Sequence, residues 1–389
     1  MPNKKRSIFT KILIWRYKYI SERQFILVLS ILVGFLAGLG TVLLKYLTLF
    51  IQSVLEGGFI RNYYYSLYFI FPIVGVWLVY LIKKNVLKKE IGHGISTTLY
   101  AISKRSGIIE RYKMFASFMV APITVGFGGS VGLQGPAVST GAAIGSNVAS
   151  MFHMNAKTRM LLIGCATAGA MSSMFKAPVA AIVFAVEIFS LDLVFTSLVP
   201  LLLASVAAVI TSYFFRGTDV LFSFELLDAW RVKDIVFYVF LGVATGIASV
   251  YFSKMYFLIT RFFAWFSNAY VKIGIAALAI GFMLYLFPPL YGEGYGLINN
   301  LLNGEIEAAL NGIQYQIDFN NVWIVIGILL IIAVFKAIAM TTTFAAGGVG
   351  GIFIPTLFMG SALGNSVAKV INQFGFEVSE SNFTLIGMT

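Results

Sequence analysis

The chain has 389 residues, of which 59% are hydrophobic and 11% are charged, and its formal net charge is +12. This composition excludes an ordinary soluble domain. It also argues against nucleic acid as the reason for the basic excess, because membrane proteins collect lysine and arginine in their cytoplasmic loops. One cysteine and two histidines exclude an intramolecular disulfide and the usual structural zinc site, so we expect neither a metal nor another cofactor.

Long uncharged stretches predict membrane-spanning helices along most of the chain. A basic leader precedes the first stretch, so residues 1–23 are expected to form a cytoplasmic segment and the first span to be retained rather than cleaved. The stretches cover residues 24–44, 62–82, 193–215, 235–253 and 273–291, each near the ~20 residues that cross a bilayer as a helix. The sequence therefore predicts an all-α, multi-pass membrane protein.

A glycine-rich run follows at Gly126 to Gly145, inside a region without any charge from residue 114 to 152. Glycines and prolines interrupt this region too often for one straight helix, which predicts two or more short helices with a loop between them. A loop that opens onto a helix presents unpaired N–H groups and the positive end of the helix dipole, which suits an anion. Gly141 and Gly145, four residues apart, are instead expected to allow close helix packing.

The same pattern recurs in the second half of the chain, from Thr341 to Gly364. Counted from Pro136 and Pro355, both segments have glycine at minus seven, minus four, plus five and plus nine. A shorter Gly-x-Gly element precedes each segment, at 92–94 and at 292–296. Repeated halves with helices broken at matching positions predict inverted repeats with re-entrant helices. We expect the repeats to cover 24–216 and 217–389.

Four ordered motifs resemble those of the CLC family of chloride channels and chloride/proton antiporters. They are GHGI at 92–95 (family pattern GSGIP), GLQGP at 132–136 (GREGP), FKAPVAAIVFAVE at 175–187, and GGIFIP at 350–355 (GGIFAP). The resemblance runs from about residue 25 to the end of the chain. It implies a CLC-like fold and a homodimer in a lipid bilayer, in which each subunit has its own pathway for chloride or a similar anion.

The resemblance also implies which residues contact the anion. Helix N-termini would hold it by partial charges, without trapping it as a buried lysine would. The Phe353 ring would line the pore, with plain packing as its alternative role. The implied contacts are His93, Gly94, Ile95, Leu133, Gln134, Gly135, Ile352, Phe353 and Ile354.

Gln134 is the main departure from the family pattern, since antiporters have at this position a glutamate that gates the pathway and carries a proton. An amide has nearly the size of a protonated carboxyl group but does not titrate near neutral pH. Ile188 stands where antiporters have a second proton-carrying glutamate. The sequence therefore predicts channel-like anion conduction without proton coupling, with Gln134 at the gate position.

Several alternatives stay open at this point. Proton-coupled exchange would need another acid, either Glu187 or Glu293. If it carries no proton, Glu187 is expected to be a buried acid paired with a base, and Glu293 a solvated loop residue. A protonated His93 would raise anion conductance as pH falls, unless backbone groups satisfy the histidine. A non-conducting membrane scaffold is the hypothesis from another class, and the absence of an acid–base or metal cluster disfavours an enzyme.

Length is the last departure. In the family, further helices follow the region that corresponds to Thr389 and supply a pore tyrosine, so we expect the second repeat to be truncated. Compact loops favour a bacterial inner membrane as the location.

Overall fold

The computed structural model describes residues 18–56, 67, 69–89, 91–92, 94–190, 195–218, 220–222, 231–313 and 315–389. Within these ranges the regular structure is helical, which confirms the predicted all-α class. In chain order the α-helices are α1 (Glu22–Glu56), α2 (Phe71–Ile82), α3 (Ile95–Lys104), α4 (Lys113–Gly126), α5 (Gln134–Met151), α6 (Ala156–Phe175), α7 (Pro178–Phe189), α8 (Phe195–Arg216), α9 (Ile235–Ala264), α10 (Ala269–Leu286), α11 (Tyr295–Leu302), α12 (Ile306–Ala309), α13 (Val322–Ala345), α14 (Phe353–Gln373) and α15 (Glu380–Gly387).

Within the described part of the chain, five helical segments are long and apolar enough to cross a membrane. They are Glu22–Leu55, Thr196–Arg216, Val232–Ala264, Ala269–Leu286 and Val322–Ala345. Four of them overlap the stretches predicted from sequence. The fifth contains Lys336, which is why it is not among the uncharged stretches. This set of spans supports an integral, multi-pass membrane protein.

Of the stretch predicted at 62–82, residues 62–66 and 68 lie outside the described residues. Among its described residues only α2 is a regular helix, and its 12 residues are too few to cross a bilayer. Pro72 lies in the first turn of α2, where a residue without an N–H fits the start of a helix. A π-helical turn, Lys83–Leu87, follows directly.

The uncharged region from 114 to 152 forms α4, a loop and α5, as the glycine and proline spacing predicts. Pro136 lies in the first turn of α5, where its missing N–H removes no intrahelical bond. Pro122 lies inside α4 and does not end it. The helical structure of this region is therefore interrupted by the glycine-rich loop and not by Pro122.

The structure divides into two compact units that interleave along the sequence. The first comprises residues 1–44, 92–117 and 136–219, and the second comprises 45–91, 118–135 and 220–389. The repeats expected at 24–216 and 217–389 are a different division, and their boundary stays a prediction.

Close packing of α5 on α6 organises the first unit. A Cβ at Gly141 would lie 2.7 Å from the Ala166 oxygen, and one at Gly145 would overlap the Leu162 carbonyl. These contacts support the packing role expected of both glycines. The hydrophobic core around them includes Val138, Ala142, Ala143, Ile163 and Met171.

In the second unit, α14 packs on α15 through the glycines at equivalent repeat positions. A Cβ at Gly360 would overlap the Gly387 carbonyl, and one at Gly364 would overlap that of Phe383. The long helix α9 is different, because most of its apolar side chains are exposed and only Leu241, Ile259 and Phe263 are buried. Exposed apolar surface of this extent suits hydrocarbon surroundings rather than water.

Candidate anion site

The candidate site lies in the second unit, where two helices begin after glycine-rich loops. α5 begins at Gln134 and α14 at Phe353. Just before these starts, the Gly132 N–H donates to the Gly351 oxygen at 3.0 Å and the Gly351 N–H donates to the Gly132 oxygen at 2.7 Å. The exchange joins the two helix starts, so the positive ends of two helix dipoles lie side by side.

Two further hydrogen bonds hold the loops, and they are related by the repeat. The Thr124 hydroxyl accepts the Val349 N–H at 3.1 Å, and the Thr343 hydroxyl accepts the Ser130 N–H at 3.2 Å. Measured from the two repeat prolines, the threonines occupy equivalent positions and so do the donors. The sequence repeat is thus accompanied by matching, mutually exchanged hydrogen bonds.

Gln134, the predicted gate position, is 1% exposed. Its Nε2 donates to the Tyr295 hydroxyl at 2.6 Å. Its Oε1 is buried without a hydrogen-bond partner among the described residues, and it lies over Gly132, where a Cβ would overlap it. The amide is therefore fixed at one end and retains an unused acceptor at the other.

Glu293 occupies the adjacent position, at the start of α5. Its Oε1 accepts the Leu133 N–H at 3.0 Å, and its Oε2 accepts from Lys45 Nζ at 2.6 Å. The side chains of Glu293 and Lys45 are only 7% and 8% exposed. The solvated-loop interpretation of Glu293 is thus wrong for this arrangement, because the carboxylate is buried and ion-paired.

Lys336 is a second buried lysine in this unit, with no exposed surface at all. Its ammonium donates to the oxygens of Gly292 at 3.1 Å and Leu290 at 3.4 Å, and it lies 4.6 Å from the centre of the Phe358 ring. Two carbonyls and an aromatic face solvate the charge in place of water. The expectation of a site made only of helix partial charges did not include Lys45 or Lys336.

A cavity of 470 Å³ opens beside these groups. Lys45, Glu293 and the first turn of α11 line it, and Tyr295 stacks beneath the lysine with 4.8 Å between Nζ and the ring centre. Its polar lining consists of Lys45, Gln52, Tyr291, Glu293, Tyr295, Asn300 and Asn311. The cavity is large enough for a small anion with part of its hydration shell.

The remaining predicted contacts fall in several places. Gly135 lies in the first turn of α5, and Ile352, Phe353 and Ile354 lie at the start of α14, where N–H groups have no acceptor within their own helix. The pairing of Gly132 with Gly351 joins these two groups of predicted contacts in one unit.

The GHGI contacts belong to the other unit. Gly94 has a φ of 48° and precedes α3, whose first residue is Ile95. The hydroxyls of Thr97 and Thr98 donate to the Gly94 oxygen at 2.9 and 3.3 Å. His93 lies outside the described residues.

Glu187 lies in the last turn of α7, and its side chain is exposed. The interpretation of this residue as a buried acid paired with a base is therefore wrong. Glu293, in contrast, accepts the N–H of Leu133, the residue directly before α5.

A match to a protein family covers most of the chain. The family model described as "Voltage gated chloride channel" matches residues 74–389. The "putative chloride channel protein ClcB-like" of Ralstonia nicotianae is 26% identical over 304 residues, covering 75% of this chain and 65% of that protein. The H(+)/Cl(−) exchange transporter ClcA of Vibrio cholerae is 27% identical over 274 residues, covering 68% and 55% respectively. The chain thus spans less than two thirds of the length of these relatives.

Solved structures give the same fold. A slow cyanobacterial Cl−/H+ antiporter matches 95% of this chain and 85% of its own with a TM-score of 0.76 at 18% identity. A CLC-type fluoride/proton antiporter matches 93% and 84% with a TM-score of 0.71 at 22% identity. At such identities the likeness concerns the fold, so function has to be argued from the site.

Proposed function

The chain belongs to the CLC family of chloride channels and transporters, and from this membership we propose that it conducts a small anion, chloride first, across a membrane without carrying protons. The observation that carries the proposal is the start of α5. Gln134 lies there, buried beside the paired loops, at the position where a titratable acid would couple the anion to a proton.

The chemistry of the site supports passive conduction. Two helix N-termini attract an anion with partial charges, and hydrogen bonds from the first turns replace part of its hydration shell. A glutamine side chain neither gains nor loses a proton near neutral pH. Residue 134 therefore cannot alternate between a charged carboxylate and a neutral acid, as a glutamate would. The Tyr295 hydroxyl further fixes the Gln134 amide at 2.6 Å.

The assembly and location are part of the proposal. We infer a homodimer with one pathway in each subunit, in a bacterial inner membrane. The exposed apolar surface of α9 agrees with lipid surroundings or a neighbouring subunit.

Chloride/proton exchange is the second candidate, and the burial of Glu293 favours it over exchange through the exposed Glu187. Glu293 contacts the Leu133 amide directly, so an acid is present at the start of α5 even though Gln134 is neutral. A proton carried by Glu293 would couple the two ions at that amide.

The deciding experiment is the chloride reversal potential of the purified protein in liposomes, with a fixed chloride gradient and a varied proton gradient. Passive conduction predicts a reversal potential that follows chloride alone. A reversal potential that moves with the proton gradient would contradict the proposal. Coupling that is lost in Glu293→Gln but kept in Glu187→Gln would then assign exchange to Glu293.

A further inference from the structure

A cavity of 600 Å³ lies in the first unit, whereas the candidate anion site belongs to the second. Three helices begin at this cavity, and the first turn of each lines it. α1 contributes Glu22 and Arg23, α6 contributes Lys157, and α8 contributes Thr196 and Ser197. The cavity therefore lies among the positive ends of three helix dipoles.

Glycine packing holds the three helices together beyond the cavity. A Cβ at Gly34 of α1 would overlap the Ala204 carbonyl of α8, and one at Gly169 of α6 would lie 3.1 Å from the Gly34 Cα. Leu27, which lines the cavity, precedes Gly34 by about two turns of α1, roughly 10 Å along the axis. The helices thus touch through glycine at depth, and larger side chains surround the space between their starts.

The cavity lies at one edge of the membrane-spanning part of the unit. Two spans, Glu22–Leu55 and Thr196–Arg216, begin among the residues that line it. Arg159, near the start of α6, donates to the Ser106 oxygen at 3.0 Å, so the basic loop after α3 lies at the same end of the unit. Basic loops mark the cytoplasmic side, where the membrane surface is also negatively charged. The cavity is therefore at the level of the cytoplasmic lipid headgroups.

The charged residues that line the cavity have an excess of positive charge. Arg23 and Lys157 are exposed, and neither forms an ion pair within the described part of the chain. Glu22 is the one acid among the described residues that line the cavity. Two basic side chains without an acidic partner attract an anionic group, and their aliphatic stems can lie along apolar surface.

Each of the three helices places an apolar residue one turn deeper than a polar one. Residues four apart lie on the same face of a helix, one above the other. The pairs among the lining residues are Arg23 with Leu27 on α1, Lys157 with Leu161 on α6, and Thr196 with Pro200 on α8. The cavity is thus polar at the membrane surface and apolar toward the hydrocarbon core, as a phospholipid is.

We propose that this cavity binds the headgroup of an anionic phospholipid. Arg23 and Lys157 hold the phosphate, and the first part of an acyl chain lies on the apolar residues one turn deeper. The volume of 600 Å³ falls within the range of about 300–1,000 Å³ that is typical of ligand pockets. The bound lipid joins the starts of α1, α6 and α8 and so stabilises the first unit. The inference does not depend on the proposed function, because it concerns neither the ion nor its path.

The apolar residues select a lipid over a soluble phosphate compound. A soluble compound would use the charge of Arg23 and Lys157 but would leave the deeper apolar surface uncovered. An acyl chain covers this surface and gains about 0.8 kcal/mol for each CH₂ group that it buries. Basic pockets between membrane helices on the cytoplasmic side bind anionic headgroups in this way.

The test is native mass spectrometry of the full chain in detergent, titrated with phosphatidylglycerol to give an apparent Kd. Arg23→Gln combined with Lys157→Gln is expected to raise this Kd about tenfold or more, because each basic side chain strengthens binding to anionic lipid several-fold. Lys104→Gln combined with Arg111→Gln is the matched control. It removes one lysine and one arginine from exposed positions of the basic loop, outside the cavity, and should leave the apparent Kd nearly unchanged.

Val199→Trp tests the apolar part of the cavity, because it fills this part and keeps both basic residues. It is expected to weaken the binding of phosphatidylglycerol. Phosphatidylcholine, which has no net charge, and glycerol phosphate, which has no acyl chain, should both bind more weakly than phosphatidylglycerol. Bound phosphatidylglycerol should raise the unfolding temperature of the wild type more than that of the Arg23 and Lys157 double variant.

An equal rise of the apparent Kd in the matched control would mean that the lipid responds to general surface charge, and would overturn the cavity as its site. Equal affinity for phosphatidylcholine would overturn the role of the two basic residues. Glycerol phosphate that binds as tightly as phosphatidylglycerol would overturn the lipid as the ligand. If Val199→Trp does not yield monodisperse protein, Ser197→Phe replaces it, and an unchanged Kd in the variant used would overturn the inference.

Discussion

Gly132 and Gly351 use both of their backbone polar groups on each other, at 3.0 and 2.7 Å, and a Cβ at Gly351 would collide with backbone. A Cβ at Gly132 would overlap Gln134 Oε1, and one at Gly351 would lie 2.6 Å from the Gly135 nitrogen. We expect Gly351→Ala to lower thermal stability and anion flux strongly, because backbone has to move, and Gly132→Ala to lower them less, because the Gln134 side chain can shift. Thermal unfolding in detergent and liposome efflux measure the two effects.

Gly327→Ala is the matched control for both variants, because a Cβ there meets nothing within 4 Å and the residue lies inside α13. It should keep full flux and gain stability, since alanine is favoured over glycine in a helix interior by roughly 0.5–1 kcal/mol. Equal behaviour of Gly327→Ala and Gly351→Ala would contradict the close approach of the two loops.

The exchanged threonine bonds predict equal effects in the two halves of the repeat. Thr124→Val leaves the Val349 N–H without its acceptor, and Thr343→Val does the same to Ser130. Each change should cost about 1–3 kcal/mol, the usual range for a buried group left without a partner. Thermal unfolding should show similar shifts for both.

Thr140→Val provides the comparison, because the Thr140 hydroxyl is buried and has no hydrogen-bond partner within the described residues. Loss of this hydroxyl should leave the free energy of unfolding unchanged or raise it. A large loss of stability in Thr140→Val would mean that the threonine effects arise from packing rather than hydrogen bonds.

Glycine positions could be predicted from sequence because their role is local. The matched spacing around Pro136 and Pro355 predicted both helix breaks, and the four-residue spacing of Gly141 and Gly145 predicted one packing face. The second packing face, at Gly360 and Gly364, was found only in the structure. The pairing of Lys45 with Glu293 joins residues 248 positions apart, and a single sequence gives no signal for a contact of that kind.

The sequence position of Lys336 caused the span at α13 to be missed. Because Lys336 interrupts an apolar stretch, α13 was not predicted as an uncharged span. A single lysine within a membrane span is more often a functional residue than the end of the span. The start of α2 at Phe71 was not predicted, because apolar residues continue on the N-terminal side of Pro72 and the whole run was taken as one stretch.

Lys336→Met should weaken anion conduction without unfolding the protein. Methionine has a similar length and removes the desolvation cost of the buried ammonium, while the local positive charge is lost. We expect chloride flux at low chloride concentration to fall about tenfold, with thermal stability changed little. Lys233→Met, at an exposed position, should leave chloride flux and thermal stability unchanged. Unchanged chloride flux in Lys336→Met would contradict a role of its charge in conduction.

Gln134→Glu should introduce a second carboxylate at the start of α5. The new charge is stabilised by the helix N-terminus and competes with the anion, so flux at pH 7 is expected to fall several-fold. Acidification toward about pH 4–5, where a carboxyl group ordinarily protonates, should restore flux. Liposome efflux across that pH range tests this, and a profile identical to that of the wild type would contradict the gate position assigned to Gln134.

The exchanged bonds around the paired loops also bear on how the protein is made. Ser130 is 213 residues from Thr343, and Thr124 is 225 from Val349. At about 5–20 residues per second, a ribosome needs about 10–45 s to deliver the second loop after the first. Throughout that interval the first loop carries backbone donors without their acceptors inside a nascent membrane domain. The anion site is therefore expected to be among the last parts of the molecule to assemble during biosynthesis.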